Sequence, residues 1–548
     1  MSRSGGSRLC WGMALATLAV VAGWWGCGPS KPPVMAEALV VTRAPESPLA
    51  PLQATTNRSV GVGDYGDAFY PSNSQVVLLN PNWPPEEIDL LARKSLPPLR
   101  RDAAAKDSTN AIRPGVVRNI SRGLHRAGGA VVSPDGKRVY FAAKATPEST
   151  WQIYEADIRH GNWRPLTAMP GGAMAPAVLP GGALVFCSPV PKLGEVWTTT
   201  EPAALYVLKP GGKPRRITFG PKSALDPTVL QDGRILFVTA HTREDPAAPL
   251  SLGLYTVNSD GTELTRFALD GDGPPLVARP RELPGKRIGF LAQEEGRMVV
   301  QYVSTARPFL SRSHLALRGL LGTQNFTAIE PLDGTGDIIC VGLKKPPPMA
   351  PVIFVPLGIL AGPVTNETKV SYLWSRWVNL TAPSSAAETV PSDEYFYHDL
   401  EAVAIRPRPA PTGHMSAVME SKKTGIILCM DANYHRAGAT KATAVRVTAR
   451  VNGVDKVLGE VPLQSDGSFI AEVPADTLLG FETLEGGRVV HRQPPSLWVR
   501  PGENRSCIGC HEPYNRSPRN LRPQAANLVP PVLSQVKDLP ENVRQTKP

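Results

Sequence analysis

The sequence predicts an all-β protein: a β-propeller, read as six blades, followed by a small antiparallel β domain. Three observations predict it. A hairpin with a glycine at its turn recurs five times at near-constant spacing. The 57 prolines and 49 glycines carry no collagen-like period, as expected of many short strands joined by turns. Beyond about residue 412 the repeat gives way to strict apolar/polar alternation. At 548 residues, the chain exceeds what a single core ordinarily organises, so two or three domains are expected.

The repeat begins with AVVSPDGKRVYFAA (130–143), two strands around a Pro-Asp-Gly turn. Its counterparts are PAVLPGGALVFCS (176–188), PTVLQDGRILFVT (227–239), PRELPGKRIGFLA (280–292) and IEPLDGTGDIICVG (329–342). The turn glycines Gly136, Gly182, Gly233, Gly285 and Gly334 follow one another at 46, 51, 52 and 49 residues. Glycine belongs there because tight hairpin turns demand positive φ. A second hairpin half follows in IYEAD (153–157), LYVLKPGG (205–212) and LYTVNSDG (254–261). Four short strands per unit of about 50 residues mark propeller blades, which bury their faces only by stacking in a ring. The sixth blade is expected from LEAVAIRPRPAP (400–411), closed by an N-terminal strand such as QVVLLNP (75–81).

The N-terminus is read as three parts. Residues 1–27 carry Arg3 and Arg8 before an apolar run over 13–25, the pattern of a secretory signal. Cys27, after Gly26, resembles a bacterial lipoprotein cleavage site and is the candidate for acylation, although Trp24 and Trp25 are bulky there. An uncleaved anchor over residues 9–26 is the other reading. Residues 28–60 read as a flexible Pro/Ala/Ser-rich tether, and 61–411 as the propeller. Export to the bacterial periplasm follows, with attachment to the membrane through lipid on Cys27. The net charge of +11 is spread without a Lys/Arg block, so a nucleic-acid partner is not expected.

Residues 412–500 read as the β domain. In ATAVRVTARV (442–451), Val445, Val447, Ala449 and Val451 share one face. LGEVPLQSDGSFIAEVP (458–474) and FETLEGGRVV (481–490) read as hairpins, the first turning at Asp466-Gly467. Residues 501–548 hold the motif that carries chemistry, followed by a Pro-, Asn- and Arg-rich tail.

That motif is Cys507-Ile508-Gly509-Cys510-His511. Two thiols separated by two residues can add to the two vinyl groups of a haem, and the adjacent imidazole can ligate its iron. A zinc site would need a second ligand pair, which the chain lacks, and a redox C-x-x-C would open a helix in a thioredoxin-like unit. Covalent haem c is therefore expected at Cys507 and Cys510. No Met or His follows His511, so an ordinary small cytochrome domain is excluded. A second axial ligand would come from Met415, Met430, His414, His435, His491 or Tyr514, or the iron stays open. The remaining cysteines, Cys187, Cys340 and Cys429, are odd in number, so no disulfide framework is visible. Two polar groupings carry less. Ser392-Asp393-Glu394 with His398-Asp399 could line a cleft but is better explained as a loop between blades, and Arg516, Arg519 and Arg522 could face haem propionates or solvent.

The repeat blades resemble the Tol-system propeller, with its A-x-S-P-D-G-K-x-I-x-F hallmark. The combination of YHDLEAVAIRPRP (397–409), DGSFIAEVPADTLLGF (466–481) and PSLWVRPGENRSCIGCHEP (495–513) resembles the hydrazine synthase alpha-subunit-like proteins over roughly residues 125–515. The resemblance implies a propeller, a β domain and a c-type haem whose motif histidine binds zinc and whose nearby downstream tyrosine binds iron. Carried to this chain, His511 is a zinc or iron ligand and Tyr514 the axial candidate. Cys340 or Cys187 would then be a thiolate zinc ligand, against the plainer reading of each as a small buried hydrophobe. The synthase subunit carries a second haem motif further on and this sequence has one, so the hydrazine-forming reaction is not carried over.

The expected function is thus that of an exported monohaem protein in electron transfer or redox chemistry on a small species, which the resemblance implies is nitrogenous. A redox partner protein and a small-molecule ligand are implied. The alternative is a propeller binding scaffold with a structural or electron-relay haem. No nucleotide-binding loop, serine-hydrolase elbow or metalloprotease motif is present.

Overall fold

A computed structural model describes residues 38–44, 66–80, 116–190, 202–240, 251–269, 277–344, 355–374, 398–434, 441–509 and 521–533, with short interruptions. Among these residues, six four-stranded antiparallel sheets stand in a ring. Their innermost strands are His398–Ala404, Arg126–Val132, Met174–Val178, Leu225–Val229, Val277–Leu283 and Gln324–Leu332, which we number blades 1 to 6. Each neighbours the next, and that of blade 6 neighbours that of blade 1. The six-bladed propeller is the expected one.

Closure differs from the expectation in one respect. Blade 1 takes its inner strand from residues 398–404 and its other three from Leu39–Ala44, Gln75–Asn80 and Val116–Asn119. The strand directly paired with residues 398–404 is therefore Leu39–Ala44, inside the segment read as tether. LVVTRA is a run with β-branched residues, buried at all six positions, which the surrounding Pro, Ala and Ser conceal in the composition. Gln75–Asn80 pairs one strand further out. His398 and Asp399, read as part of a loop between blades, open the closing strand instead. Residues 392–394 lie outside the described residues.

The turn glycines Gly136 and Gly233 adopt φ of +72° and +88°. Both also lie under the segment that leaves the ring, residues 405–420. Arg408 donates its backbone N–H to Pro134 O at 2.8 Å, and Thr412 does so to Gln231 O at 3.0 Å. A Cβ on Gly233 would stand 2.0 Å from Thr412 O. The segment is thus a strap across the hairpin turns of blades 2 and 4. Gly334 lies outside the described residues.

The β domain is a two-sheet sandwich. One sheet holds Phe469–Pro474, Thr424–Cys429 and Asn504–Cys507; the other holds Val454–Pro462, Ala444–Val451, Leu479–Glu485 and Arg488–Leu497. Val445, Val447, Ala449 and Val451 all face the shared core, as their alternation predicts. Two expectations need correction. Residues 458–474 are not a hairpin: Val454–Pro462 and Phe469–Pro474 belong to different sheets. The turn at Asp466-Gly467 carries the chain round the corner, with Gly467 O accepting the Ala432 N–H at 2.8 Å in the first sheet. Nor is the domain wholly antiparallel, because Asn504–Cys507 runs parallel to Thr424–Cys429.

The tail is partly built into this domain. Val532 forms a parallel bridge with Glu472, and Leu533 is buried in the core. Asp466 and Ser468 accept the backbone N–H groups of Gln524 and Ala525 at 2.8 and 3.0 Å.

Candidate haem-attachment site

Cys507 ends the strand Asn504–Cys507, and three sets of bonds fix that strand. Its ladder to residues 424–429 includes Ile426 N–H to Glu503 O at 2.8 Å and Met430 N–H to Cys507 O at 2.9 Å. Glu503 accepts the Arg500 N–H at 2.6 Å and the Glu263 N–H of blade 4 at 3.1 Å. Arg505 donates to Leu264 O of the same blade. The strand is therefore clamped between the sandwich and the propeller.

The same contact holds the two domains together. Trp498 donates its indole N–H to Gly261 O at 3.1 Å and packs on Phe219 with ring centroids 6.0 Å apart. Arg500, 2% exposed, donates its Nε–H to Asp260 O at 2.8 Å and ion-pairs with Asp476. Ser416, on the strap, donates to Asp260 Oδ2 at 2.9 Å.

Beyond Cys507, the first motif residues run along a cleft lined by Met430, Asp431, Tyr434, Asp466, Ile508, Leu521 and Pro523. A Cβ on Gly509 would stand 3.1 Å from Asp431 O and 3.2 Å from Tyr434 Cβ, so the smallest residue is needed where the chain passes. Cys507 is half-buried at the start of this stretch. Cys510, His511 and Tyr514 lie outside the described residues, as does Cys27.

A second concentration of polar groups fills the propeller centre. Arg279 and Glu401 form an ion pair at 2.5 Å with side chains 5% and 10% exposed. Glu401 also accepts from Tyr70 Oη (2.7 Å), Thr42 Oγ1 (2.7 Å) and Gly129 N–H (2.9 Å). Arg279 stacks over Phe69, 4.6 Å from its centroid. Burial would raise the Glu401 carboxyl, but Arg279 and these donors hold it below the usual glutamate range. Tyr70, buried among the same groups, is pushed well above the ordinary phenol value, chiefly by desolvation.

The backbone assists. Gly129, Ala175, Asp226 and Arg279 all have positive φ, at register breaks in the inner strands of blades 2 to 5. These are β-bulges, which re-aim backbone groups. The amide of Arg279 reaches Asp226 Oδ2 at 2.8 Å in this way.

Residues 418–512, spanning the attachment strand and most of the sandwich, match the family model of the hydrazine synthase alpha subunit middle domain. That segment is similar to the middle domain of the hydrazine synthase alpha subunit. The fold of the chain is similar to that of Kuenenia stuttgartiensis hydrazine synthase, with a TM-score of 0.64, covering 90% of this chain and 71% of that one at 14% identity. TolB from Acinetobacter baumannii matches 61% of this chain and 65% of its own at 12% identity, with a TM-score of 0.34. A search of curated proteins found no match.

The candidate ligands are scattered. Cys187 and Cys340 are buried on second strands of blades 3 and 6. Burial raises both thiols, that of Cys340 to about 12, and Cys187 donates to Met174 O at 3.4 Å. No group of three or more His, Cys, Asp or Glu that could hold a metal occurs among the described residues. Of the axial candidates, Met430 lines the cleft; Met415 is 98% exposed on the strap. His414 sits over Gly233, and His491 lies on the strand Arg488–Leu497. His435 lies outside the described residues, as do Arg516 and Arg519, whereas Arg522 is exposed.

Sequence reasoning missed the propeller centre. A signal was present: Ala175, Asp226 and Arg279 each precede a proline, just ahead of the repeat stretches quoted above. Proline disfavours the right-handed helical region for the residue before it.

Proposed function

We propose that this hydrazine synthase alpha-like protein is an exported monohaem c-type protein in electron transfer or redox chemistry on a small molecule. The observation that carries the reading is Cys507: the first motif thiol ends a strand clamped by both domains, inside the segment that matches the family's middle domain. A bound haem supplies one-electron chemistry or an iron position for a small ligand. The chain's own residues would do the rest. Cys507 and Cys510 hold the group covalently, and His511 or Tyr514 faces the iron. Met430, Tyr434 and Leu521 exclude water from one edge. The propeller, through Glu263 and Leu264, keeps the attachment strand in place. Zinc on His511 belongs to the same proposal, as does lipid on Cys27 at the periplasmic membrane, whereas the buried, protonated thiols of Cys187 and Cys340 suit small hydrophobes better than thiolate ligands.

The test is retention of haem colour after denaturation, in full-length protein produced with haem-maturation machinery. Wild type is expected to keep it and Cys507→Ala/Cys510→Ala to lose it. Spectra under nitric oxide and carbon monoxide then divide the roles. High-spin iron that binds the gases supports small-molecule chemistry, whereas six-coordinate low-spin iron that ignores them supports electron transfer. Metal analysis without zinc would remove the zinc assignment.

The scaffold reading is favoured by one observation. The chain's own Tyr70, with Arg279 and Glu401, fills the propeller centre, which suits a body that supports the haem domain.

A further inference from the structure

We propose that Cys429 is the covalent partner of Cys507 whenever haem is not attached, the two thiols closing a disulfide between adjacent parallel strands. Cys429 and Cys507 are register partners in the ladder of Thr424–Cys429 with Asn504–Cys507. Register partners point to the same face of a sheet, and here Gly425, Ile427 and Cys429 face the core. Adjacent strands lie about 4.8 Å apart, inside the roughly 4.4–6.8 Å Cα span that a disulfide bridges. The Met430 N–H to Cys507 O bond at 2.9 Å holds the strands together at this pair.

Exposure sets the order of events. Cys507 is half-buried and Cys429 only 2% exposed. The Cys507 thiolate attacks a sulfur of an external disulfide, such as oxidised glutathione or a protein dithiol oxidase, forming a mixed disulfide and releasing one thiol. Cys429 then gives up its proton to solvent or the departing thiolate and attacks the Cys507 sulfur. The Sγ–Sγ bond forms and the second external thiol leaves. Two cysteine sulfurs are oxidised by two electrons in total, and one external disulfide is reduced to two thiols. That this bond blocks haem attachment rests on the proposed function; the bond itself does not.

The test uses the full chain secreted without haem-maturation machinery, alkylated, digested without reductant and mapped by mass spectrometry. A Cys429–Cys507 peptide, abolished by reductant, is expected, with Cys510 alkylated. In Cys429→Ala, Cys507 should become alkylatable or shift to Cys510. A Cys507–Cys510 linkage in wild type, or full alkylation of both Cys429 and Cys507, overturns the proposal. Haem is read separately by denatured colour in the maturation strain. A chain that shows the disulfide but never retains haem sinks the haem reading and leaves this one standing.

Discussion

Glu401 shows how much rests on single side chains in the propeller centre. It is the shared acceptor for Arg279, Tyr70, Thr42 and the Gly129 amide. Glu401→Gln leaves the Arg279 guanidinium buried without its counter-charge, and should cost roughly 3–5 kcal/mol in denaturant unfolding. Arg279→Met added to that variant should recover much of the loss. A carboxyl whose folded pKa is depressed contributes stability that is present above the unfolded value, near 4.3 for glutamate, and lost as pH falls through the folded value. The gap between wild type and Glu401→Gln should therefore narrow below about pH 4. At this scale the two sites differ in legibility. Cys507 announces itself through five consecutive residues. Arg279 and Glu401 are brought together only by ring closure, and nothing local in the sequence pairs them.

Elements were legible where pattern and burial coincide. The alternation at 442–451 and the turn glycines of blades 2 to 5 sit as expected, because each follows from a two-residue period or a positive φ. The corner at residues 463–468 was not, since a turn sequence specifies the bend and says nothing of which sheet the next strand joins. Gly233 offers a direct test. An alanine there meets both the strained φ of +88° and Thr412 O on the strap. A non-glycine at such φ costs about 1–3 kcal/mol. Gly233→Ala should lose at least that in thermal or urea unfolding, whereas Gly211→Ala, equally left-handed but in open space, should lose less.

Across the whole molecule, the described residues pack as one unit, and Trp498 with Arg500 carries the join between propeller and sandwich. Arg500→Ala leaves a buried cavity and uncouples Asp260 from Asp476. Calorimetry should resolve two transitions in this variant and one in wild type, and a single unshifted transition in the variant would contradict the join described. The ring closure has a consequence in time. Residue 39 waits for residue 404, since Leu39 pairs with Ala404 across the seam. Until the ribosome has delivered that late strand, Leu39–Ala44 presents an unmet hydrogen-bonding edge. Contacts so distant in sequence close slowly. The sandwich follows at residue 424, so the first motif cysteine emerges only after the body that clamps it can already have closed.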